Sequence, residues 1–414
     1  TELAMIDQWA LEERRNIDYS QADKRALAER IQAIYGRDYI DTWQRNLNQL
    51  EVRDFHDLAE AVNVLGTVTS PAAPLRRLVE TVRDNSEFGD TPAAGVSALA
   101  SKGATPAQVA GVTDRAAADK DAQEAGPILG ISRAFAPMSQ LLQAKGDRAS
   151  YLDETLVAIS SVQDKVRTVH DSPDRGKSAL GVVLERFGLK GPDPISNLQR
   201  IAAGLPEPLN RQVGKLANES SQVILVEALR ELERRWDIDV YRFYRERLAN
   251  RYPFNPTSRE EVALDDFTAF FGPQGRLQQF REKYLNLFIE ENLEALYSES
   301  LGGYLVRADV LTQLEAAERI RDAFFNSRGS LGVQFHVEPL GMAPSKRSSS
   351  LSVEGQLVSY NHGPTTSTAL IWPNTLASSN ESRMTLVHAG GSSSALSYRG
   401  PWSLYRLLSQ ARLN

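Results

Sequence analysis

The sequence predicts a mostly α-helical, multi-domain chain followed by a small C-terminal antiparallel β-sandwich. Through most of residues 1–330, apolar residues recur at three- and four-residue intervals, as on one face of a helix. From about residue 331 apolar and polar residues alternate in short runs separated by Ser, Gly, Pro and Asn, which is typical of antiparallel strands. The expected segments are a helical domain at 1–88, a linker at 89–128, one or more helical domains at 129–330 and the β-sandwich at 331–414.

The first helical domain begins with a capping signal. Ser20-Gln21-Ala22-Asp23 sets a serine and an acid three positions apart, so each side chain can bond the other's main-chain N–H. We expect Gly36 to separate or kink two helices, and Ser70-Pro71 to begin another, since Pro suits a first helical turn. The apolar residues at helical spacing in this region are Leu27, Ile31, Ile34, Ile40, Trp43, Leu47 and Leu50.

Residues 89–128 differ in composition from the rest of the chain. They are rich in Ala, Gly and small polar residues, contain no aromatic residue and have few large aliphatic ones. Because such a segment can bury little apolar surface, we expect a flexible linker or a long loop.

Helical patterning returns at about residue 129. The clearest amphipathic stretch is 209–250, and we expect Arg251-Tyr252-Pro253-Phe254-Asn255-Pro256 to end it, because each Pro disfavours helix at the preceding residue. The last helix is expected from about 307 to 326, where one apolar face is formed by Val310, Leu314, Ala317, Ile320 and Phe324.

The β-domain is predicted from strict alternation in Val333-Gln334-Phe335-His336-Val337-Glu338. A period of two puts successive side chains on opposite faces of a sheet. Further strand candidates are 351–354, 357–360, 369–372 and 384–388.

Composition narrows the classes of function. The formal net charge is −6, from 47 basic and 53 acidic residues, which argues against nucleic acid as a partner. The chain has no cysteine, so disulfides, thiol nucleophiles and thiolate metal sites are excluded. No apolar run approaches the roughly 20 residues of a membrane-spanning helix, and we expect no membrane segment within this fragment.

Gly176-Lys177-Ser178 matches the second half of a phosphate-binding loop. The position that requires the first glycine holds Asp171, whose carboxylate would face the phosphates, and no predicted strand precedes the segment. The start of a helix after Pro173 explains these residues better.

Three further groups could suggest chemistry, and each has a plainer explanation. His388-Ala389-Gly390-Gly391-Ser392-Ser393-Ser394 is better explained as a turn between strands than as an oxyanion loop. The acids at 260–261 and 265–266 flank a predicted helix start, where carboxylates are favoured. His336 and Glu338 share a strand face, but two side chains do not hold a metal. We therefore predict no catalytic residue, no cofactor-binding residue, no metal ligand and no enzyme activity.

Several multi-residue blocks occur along the chain in one order. They are Asp38-Tyr39-Ile40-x-x-Trp43, Ser70-Pro71, Arg251-Tyr252-Pro253-Phe254, Asp265-Asp266-Phe267, Phe270-Phe271-Gly272-Pro273-Gln274-Gly275, Ile320-Arg321-Asp322-Ala323-Phe324-Phe325, Val353-Glu354-Gly355-Gln356, Tyr360-Asn361-His362-Gly363-Pro364, Leu370-Ile371-Trp372-Pro373 and Gly400-Pro401-Trp402-Ser403-Leu404. In the residues of these blocks and in their order along the chain, the sequence resembles the C-terminal region of the IcmF family of type VI secretion systems. The resemblance covers most of the chain apart from 89–128 and 281–306.

The resemblance implies a structural scaffold without a cofactor. The chain would be the later, periplasmic part of a protein anchored in the inner membrane. Its β-domain would bind the outer-membrane lipoprotein TssJ, and the full complex would add other copies of the chain and the inner-membrane subunit TssL.

The predicted contact residues lie in and beside the loops at 341–350 and 374–382. For the aromatic residues among them, a place in the core of the sandwich is the main alternative. The predicted set is Ser345, Lys346, Arg347, Tyr360, Asn361, His362, Trp372, Asn374 and Asn380.

Two other functions remain open from the residues alone. A cell-wall hydrolase would need a deep polar pocket with strongly shifted acids. A helical adaptor for a soluble ligand would need a broad apolar groove within 129–250.

Overall fold

The computed structural model describes residues 20–87, 127–144, 146, 148–188, 191–289 and 308–410. Within these ranges no helix is both long enough and apolar enough to cross a membrane. All but the last two residues of the predicted linker at 89–128 lie outside the described residues. The chain divides into two compact units, one formed by residues 1–179 and 191–227 and the other by residues 180–190 and 228–414.

The first unit is helical. Capping side chains set several of its helix starts: Ser20 with Asp23, Asp57 with the N–H of Glu60, and Asp193 with the N–H of Ser196. Helices α6 and α8 cross the boundary into the second unit. The bounds are α1 (Gln21–Asn48), α2 (Leu58–Thr69), α3 (Pro74–Ser86), α4 (Pro127–Ser139), α5 (Tyr151–His170), α6 (Arg175–Phe187), α7 (Pro194–Ala203) and α8 (Leu209–Trp236).

Helix α1 corrects the prediction at Gly36. The helix runs without a break from Gln21 to Asn48, and Gly36 is buried within it. A single glycine within a 28-residue helix lowers helix propensity by only about 1 kcal/mol relative to alanine, which is too little to break the helix by itself.

The GKS segment starts a helix, as the sequence analysis favoured. Helix α6 begins at Arg175, and the carboxylate of Asp174 accepts a hydrogen bond of 3.0 Å from the N–H of Lys177. The N–H groups that a phosphate would need are thus part of an ordinary helix start.

The helical part of the second unit continues directly from α8 through a π-helical turn at Asp237–Tyr241. The predicted break at 251–256 is confirmed, because no helix is present between Leu248 and Ala263. The predicted last helix is also confirmed, as α13. The bounds are α9 (Arg242–Arg247), α10 (Leu264–Phe271), α11 (Arg276–Phe280), a second π-helical turn (Arg281–Leu285), α12 (Asn286–Ile289) and α13 (Ala308–Phe324).

The C-terminal β-domain contains two antiparallel sheets. One pairs β1 with β4, and the other has the order β3-β2-β5-β6. The side-chain amide of Gln356 links the sheets by donating 2.7 Å to the carbonyl of Ile371 and accepting 2.9 Å from its N–H. The strands are β1 (Val333–Val337), β2 (Lys346–Val353), β3 (Gln356–Tyr360), β4 (Thr368–Trp372), β5 (Glu381–His388) and β6 (Ser393–Arg399).

Four details of the β-domain differ from the sequence prediction, and the first is β6, which lies in a segment where no strand was predicted. Strand β2 begins at Lys346, so the second half of the predicted 341–350 loop is strand, and β5 begins at Glu381. The domain also ends in a helix, α14 (Ser403–Ser409), which buries Leu404 and Leu407. This helix is only seven residues long, too short for apolar periodicity to reveal it.

Candidate partner-binding surface of the β-domain

Five aromatic side chains join the helices of the second unit to the β-domain. We call them the aromatic joint: Phe267 on α10, Phe324 on α13, Trp372 at the end of β4, and Trp402 and Tyr405 at α14. Ring centroids lie 5.1 Å apart for Phe267 and Trp402 and 5.1 Å apart for Trp372 and Trp402. Burial raises the pKa of the Tyr405 hydroxyl to about 12. Since large buried aromatic surfaces dominate packing energy, this contact fixes the β-domain against α10 and α13.

A polar contact lies beside the aromatic joint. The carboxylate of Glu261 forms an ion pair with Arg406 and accepts a hydrogen bond of 2.9 Å from the main-chain N–H of Trp402. The Arg406 guanidinium also donates to the carbonyl of Ser258 at 2.9 Å and lies 4.0 Å from the ring centre of Tyr252. Both side chains are largely buried, since Arg406 is 17% exposed and Glu261 is 10% exposed. A buried ion pair is stable when additional hydrogen bonds offset the cost of removing both charges from water, and the bonds to Trp402 and Ser258 do this.

Gly400 allows the chain to pass close to Glu261. Its φ is +121°, a conformation that residues with a Cβ rarely adopt. A Cβ at this position would lie 2.4 Å from a carboxylate oxygen of Glu261. The glycine is therefore required both by its backbone conformation and by the packing.

The structure places one predicted contact residue in the core. Trp372 is fully buried in the aromatic joint, and its indole N–H donates to the carbonyl of Pro401 at 3.1 Å. Because its side chain is not exposed, Trp372 cannot contact a partner. It belongs to the core, which was the alternative given for the aromatic residues.

Six of the predicted residues meet at one end of the four-stranded sheet. We call this the distal end, because it is the end of the sheet that lies away from the aromatic joint. Two contacts there involve Lys346. Its ammonium group lies 3.0 Å from a ring nitrogen of His388, and its main-chain carbonyl lies 2.6 Å from Nε2 of His362. Ser345, Arg347, Asn361 and His362 are exposed, and Lys346 and Tyr360 are half-buried.

The remaining two predicted residues lie at the other end of this sheet. Asn374 donates a main-chain hydrogen bond of 2.5 Å to the carboxylate of Glu354, and its side-chain amide donates to the carbonyl of the same residue at 2.9 Å. Asn380 is exposed and precedes β5. Strand β2 separates the two ends by roughly 23 Å at about 3.3 Å per residue, so the nine residues do not form one surface.

Glu354 is an unusual residue at this second end. It is 3% exposed and has a φ of +47°, in the turn between β2 and β3. Burial raises the pKa of its carboxyl, and the hydrogen bond from Asn374 opposes that shift. Its role is to hold the segment after β4 against the β2–β3 turn.

Sequence reasoning missed the roles of Glu261 and His388. Glu261 was explained as a capping acid, whereas its partner Arg406 lies 145 residues away in the chain. His388 was assigned only to a turn, and it joins the distal end because β5 pairs with β2 there, with His388 opposite Lys346. Neither partner could be found from local spacing.

The described residues include no group of three or more His, Cys, Asp or Glu that could hold a metal ion. A small cavity between α10, α11 and α13 is lined by Phe271, Gln278, Arg281, Glu318 and Arg321. Its volume of about 20 Å³ has room for about one water molecule. It is too small for a sugar or peptide substrate.

Two family profiles match the ends of the chain. A profile described as "Type VI secretion protein IcmF C2-like domain" matches residues 335–414, which hold most of the β-domain. A second, IcmF-related profile described as "Intracellular multiplication and human macrophage-killing" matches residues 1–87. The two matches agree in family although they lie at opposite ends of the sequence.

Proteins that match nearly the whole of this chain come from type VI secretion systems, and this chain spans only about a third of the curated relative. The protein described as "Type VI secretion system component TssM1" of Pseudomonas aeruginosa is 26% identical over 98% of this chain, and the match covers 37% of that relative. A solved "Type VI secretion system membrane core complex" has a TM-score of 0.70 at 19% identity, over 95% of this chain and 75% of its own. A solved "Type VI membrane complex" has a TM-score of 0.68 at 18% identity, over 99% and 73%. The fold of this chain is therefore shared with subunits of those complexes.

Proposed function

We propose that this chain, which belongs to the IcmF family of type VI secretion proteins, acts as a scaffold segment in the membrane complex of the secretion system. On this proposal it lies in the periplasm, as part of a longer protein anchored in the inner membrane, and has no catalytic role. Its β-domain binds the outer-membrane lipoprotein TssJ. Other copies of the chain and the inner-membrane subunit TssL complete its contacts in the assembled complex.

The observation that carries this proposal is the aromatic joint with its buried Glu261–Arg406 pair. Neighbouring domains of one chain move relative to each other by default unless their interface is large and apolar. Here Trp402 is 1% exposed and Trp372 is fully buried between helices and sheets. A β-domain held in this way keeps a fixed orientation on its helices, which suits a segment that must bridge a distance and present a binding surface.

The distal end is the part of the β-domain that best suits the lipoprotein. It lies at the opposite end of the sheet from the aromatic joint, so a partner can reach it without disturbing the joint. Its exposed residues include Arg347 at the start of β2 and Asn361 and His362 in the loop after β3, and loops carried on a rigid sheet are common binding surfaces. Arginine and aromatic side chains such as Tyr360 are the types that contribute most to protein interfaces. We expect the lipoprotein to present an acidic patch here.

The test is a calorimetric titration of the full chain with the lipoprotein lacking its acyl anchor. The full chain is required because the β-domain alone would expose the aromatic joint to water. Two charge reversals are compared: Arg347→Glu at the distal end and Arg383→Glu, which changes an exposed arginine of β5 near the joint. Saturable binding that weakens at least about tenfold only in the first variant, about 1.4 kcal/mol, would support the proposal.

Other outcomes would contradict it in different ways. An equal loss of affinity in both variants would mean that the effect is one of net charge and that the distal end is not the site. Normal binding by Arg347→Glu with loss in Arg383→Glu would move the site toward the joint. Absence of binding by the folded native chain would remove the lipoprotein as the partner.

A further inference from the structure

Strand β6 forms one edge of the four-stranded sheet and is the most exposed strand of the β-domain. It pairs with β5 along its full length in an uninterrupted antiparallel register, from Glu381 opposite Arg399 to Val387 opposite Ser393. On its other side no described strand is present. Residues 393–397 and Arg399 are exposed, and only Tyr398 is half-buried.

The hydrogen bonds that flank β6 show which of its main-chain groups point outward. The N–H of His388 donates to the carbonyl of Ser392, and the N–H of Gly400 donates to the carbonyl of Asn380. In an antiparallel ladder these bonded positions alternate along a strand. The main-chain N–H and C=O groups of the even-numbered residues of β6 therefore point toward β5. Those of the odd-numbered residues point away from it: Ser393, Ala395, Ser397 and Arg399.

This edge lacks the features that usually prevent pairing. Natural edge strands carry Lys, Pro, a bulge or an inward-pointing charge that hinders a second strand. Residues 393–398 are Ser-Ser-Ala-Leu-Ser-Tyr, and the only charge of the strand, on Arg399, is at its end. Leu396, at the middle of the strand, is 42% exposed. At the opposite edge of the sheet, by contrast, Gln356 of β3 is hydrogen-bonded to Ile371.

We propose that β6 pairs with β6 of a second copy of this chain, antiparallel, about a twofold axis at Leu396. The outward row of main-chain donors and acceptors calls for another strand as its occupant. Around that axis the outward-bonding residues pair as Ser393 with Arg399 of the other copy and as Ala395 with Ser397. Leu396 meets its own counterpart.

The register is self-complementary in charge and in shape. Like charges directly opposite each other would destabilise the pair of strands. Here each Arg399 lies opposite a serine, so no such repulsion arises. Leu396 occupies a non-hydrogen-bonded position, where the Cα atoms of opposed residues approach to about 4.5 Å and side chains pack closely. A twofold contact of this kind uses the same seven residues from both copies.

The contact is small, and we expect it to be weak between free chains. Several copies held in one complex would raise the effective concentration of the edge and favour the pairing. The inference does not depend on binding of the lipoprotein, because the β6 edge and the loops of the distal end are different surfaces. Its test therefore uses the chain alone.

The sharpest test is cross-linking, because the chain has no native cysteine. Leu396→Cys would put two thiols within the Cα distance that a disulfide allows. Copper phenanthroline in air accepts the two electrons and two protons that the thiols lose. We expect a disulfide-linked dimer of Leu396→Cys, and little dimer of Ser394→Cys, whose two copies would be separated by about 13 Å in this register. Equal cross-linking of both variants would overturn the register.

Sedimentation of the full chain without oxidant supplies a second test. We expect a concentration-dependent dimer for the native chain and for Leu357→Lys, a control on β3 whose residue is 62% exposed. Leu396→Lys would place two ammonium groups at the axis, and Ser397→Pro would remove an outward N–H without breaking the β5 ladder. Both variants should be monomeric, with native melting behaviour checked by circular dichroism. A native chain that stays monomeric at millimolar concentration, or a dimer that survives both substitutions, would contradict the proposal.

Discussion

The indole N–H of Trp402 donates a hydrogen bond of 2.8 Å to the main-chain carbonyl of Val262, and both residues are buried. Glu261, the residue before Val262, makes the next contact. Its carboxylate accepts a hydrogen bond from the main-chain N–H of Trp402. One residue of the β-domain is thus held by two successive residues about 140 positions earlier. Hydrogen bonds fix the orientation of the ring, and aromatic packing supplies most of the buried apolar surface.

Trp402→Phe should lower the free energy of unfolding by about 1–3 kcal/mol beyond the effect of the smaller ring, because the buried carbonyl of Val262 loses its donor. Urea unfolding followed by circular dichroism measures the change. Trp43→Phe, at a half-buried position of α1 outside the joint, is the matched control. Equal effects of the two substitutions would show that the indole N–H contributes nothing specific.

Arg406→Ala should destabilise the chain by about 3–5 kcal/mol, because it leaves the largely buried carboxylate of Glu261 without its counter-ion. Arg406→Lys keeps the charge but cannot form the guanidinium's bonds to both Glu261 and the carbonyl of Ser258, so its effect should be intermediate. Chemical unfolding at low and high salt measures both. A loss for Arg406→Ala below about 0.5 kcal/mol would place this pair with weak surface ion pairs.

Gly400→Ala should cost more stability than Gly391→Ala. Both glycines have positive φ, at +121° and +85°, so both substitutions introduce backbone strain of about 1–3 kcal/mol. Only the Cβ at 400 would also meet a neighbour, the carboxylate of Glu261, whereas nothing lies within 4 Å at 391. Thermal unfolding of the two variants compares them. If both lose the same stability, the close approach to Glu261 has no energetic effect.

Glu354→Gln should change how stability depends on pH. Burial raises the pKa of this carboxyl in the folded chain, so the folded state binds its proton more tightly than the unfolded state does. The resulting stabilisation is complete below the unfolded pKa of about 4.3 and is lost as pH rises through the folded pKa. Glutamine has no proton to lose and can still accept the N–H of Asn374.

The unfolding free energy of Glu354→Gln relative to the native chain should therefore increase as pH rises from about 4 to about 8. Urea unfolding at several pH values measures this difference. A difference that is constant across the range would show that the buried carboxyl does not contribute to the pH dependence.

Local signals in the sequence predicted several elements of the fold because neighbouring residues produce them. The Ser20–Asp23 capping box is present as predicted, since both partners lie within one helical turn. The alternation at residues 333–338 gives β1, with exposed and half-buried side chains in turn. Helix α13 begins and ends within two residues of the range that its apolar face predicted.

The same kind of signal failed where distant residues decide the structure. Gly36 has low helix propensity, yet α1 runs through it without a break. Strand β6 is serine-rich and shows no apolar alternation, so it is specified by its ladder with β5. The nine predicted contact residues were expected in and beside two loops of the β-domain. The structure places six of them at the distal end, two at the other end of the sheet and one in the core.

The sequence by itself determined that a helical part is followed by a β-domain, that the chain resembles the IcmF family, and that it has no thiol chemistry, because these depend on residue types and short spacings. Only the tertiary structure decided that Trp372 and Trp402 are packed together, that Glu261 meets Arg406, and that β6 is an edge. These contacts join residues up to 145 positions apart. Chain folding alone brings such residues together, so no local pattern specifies them.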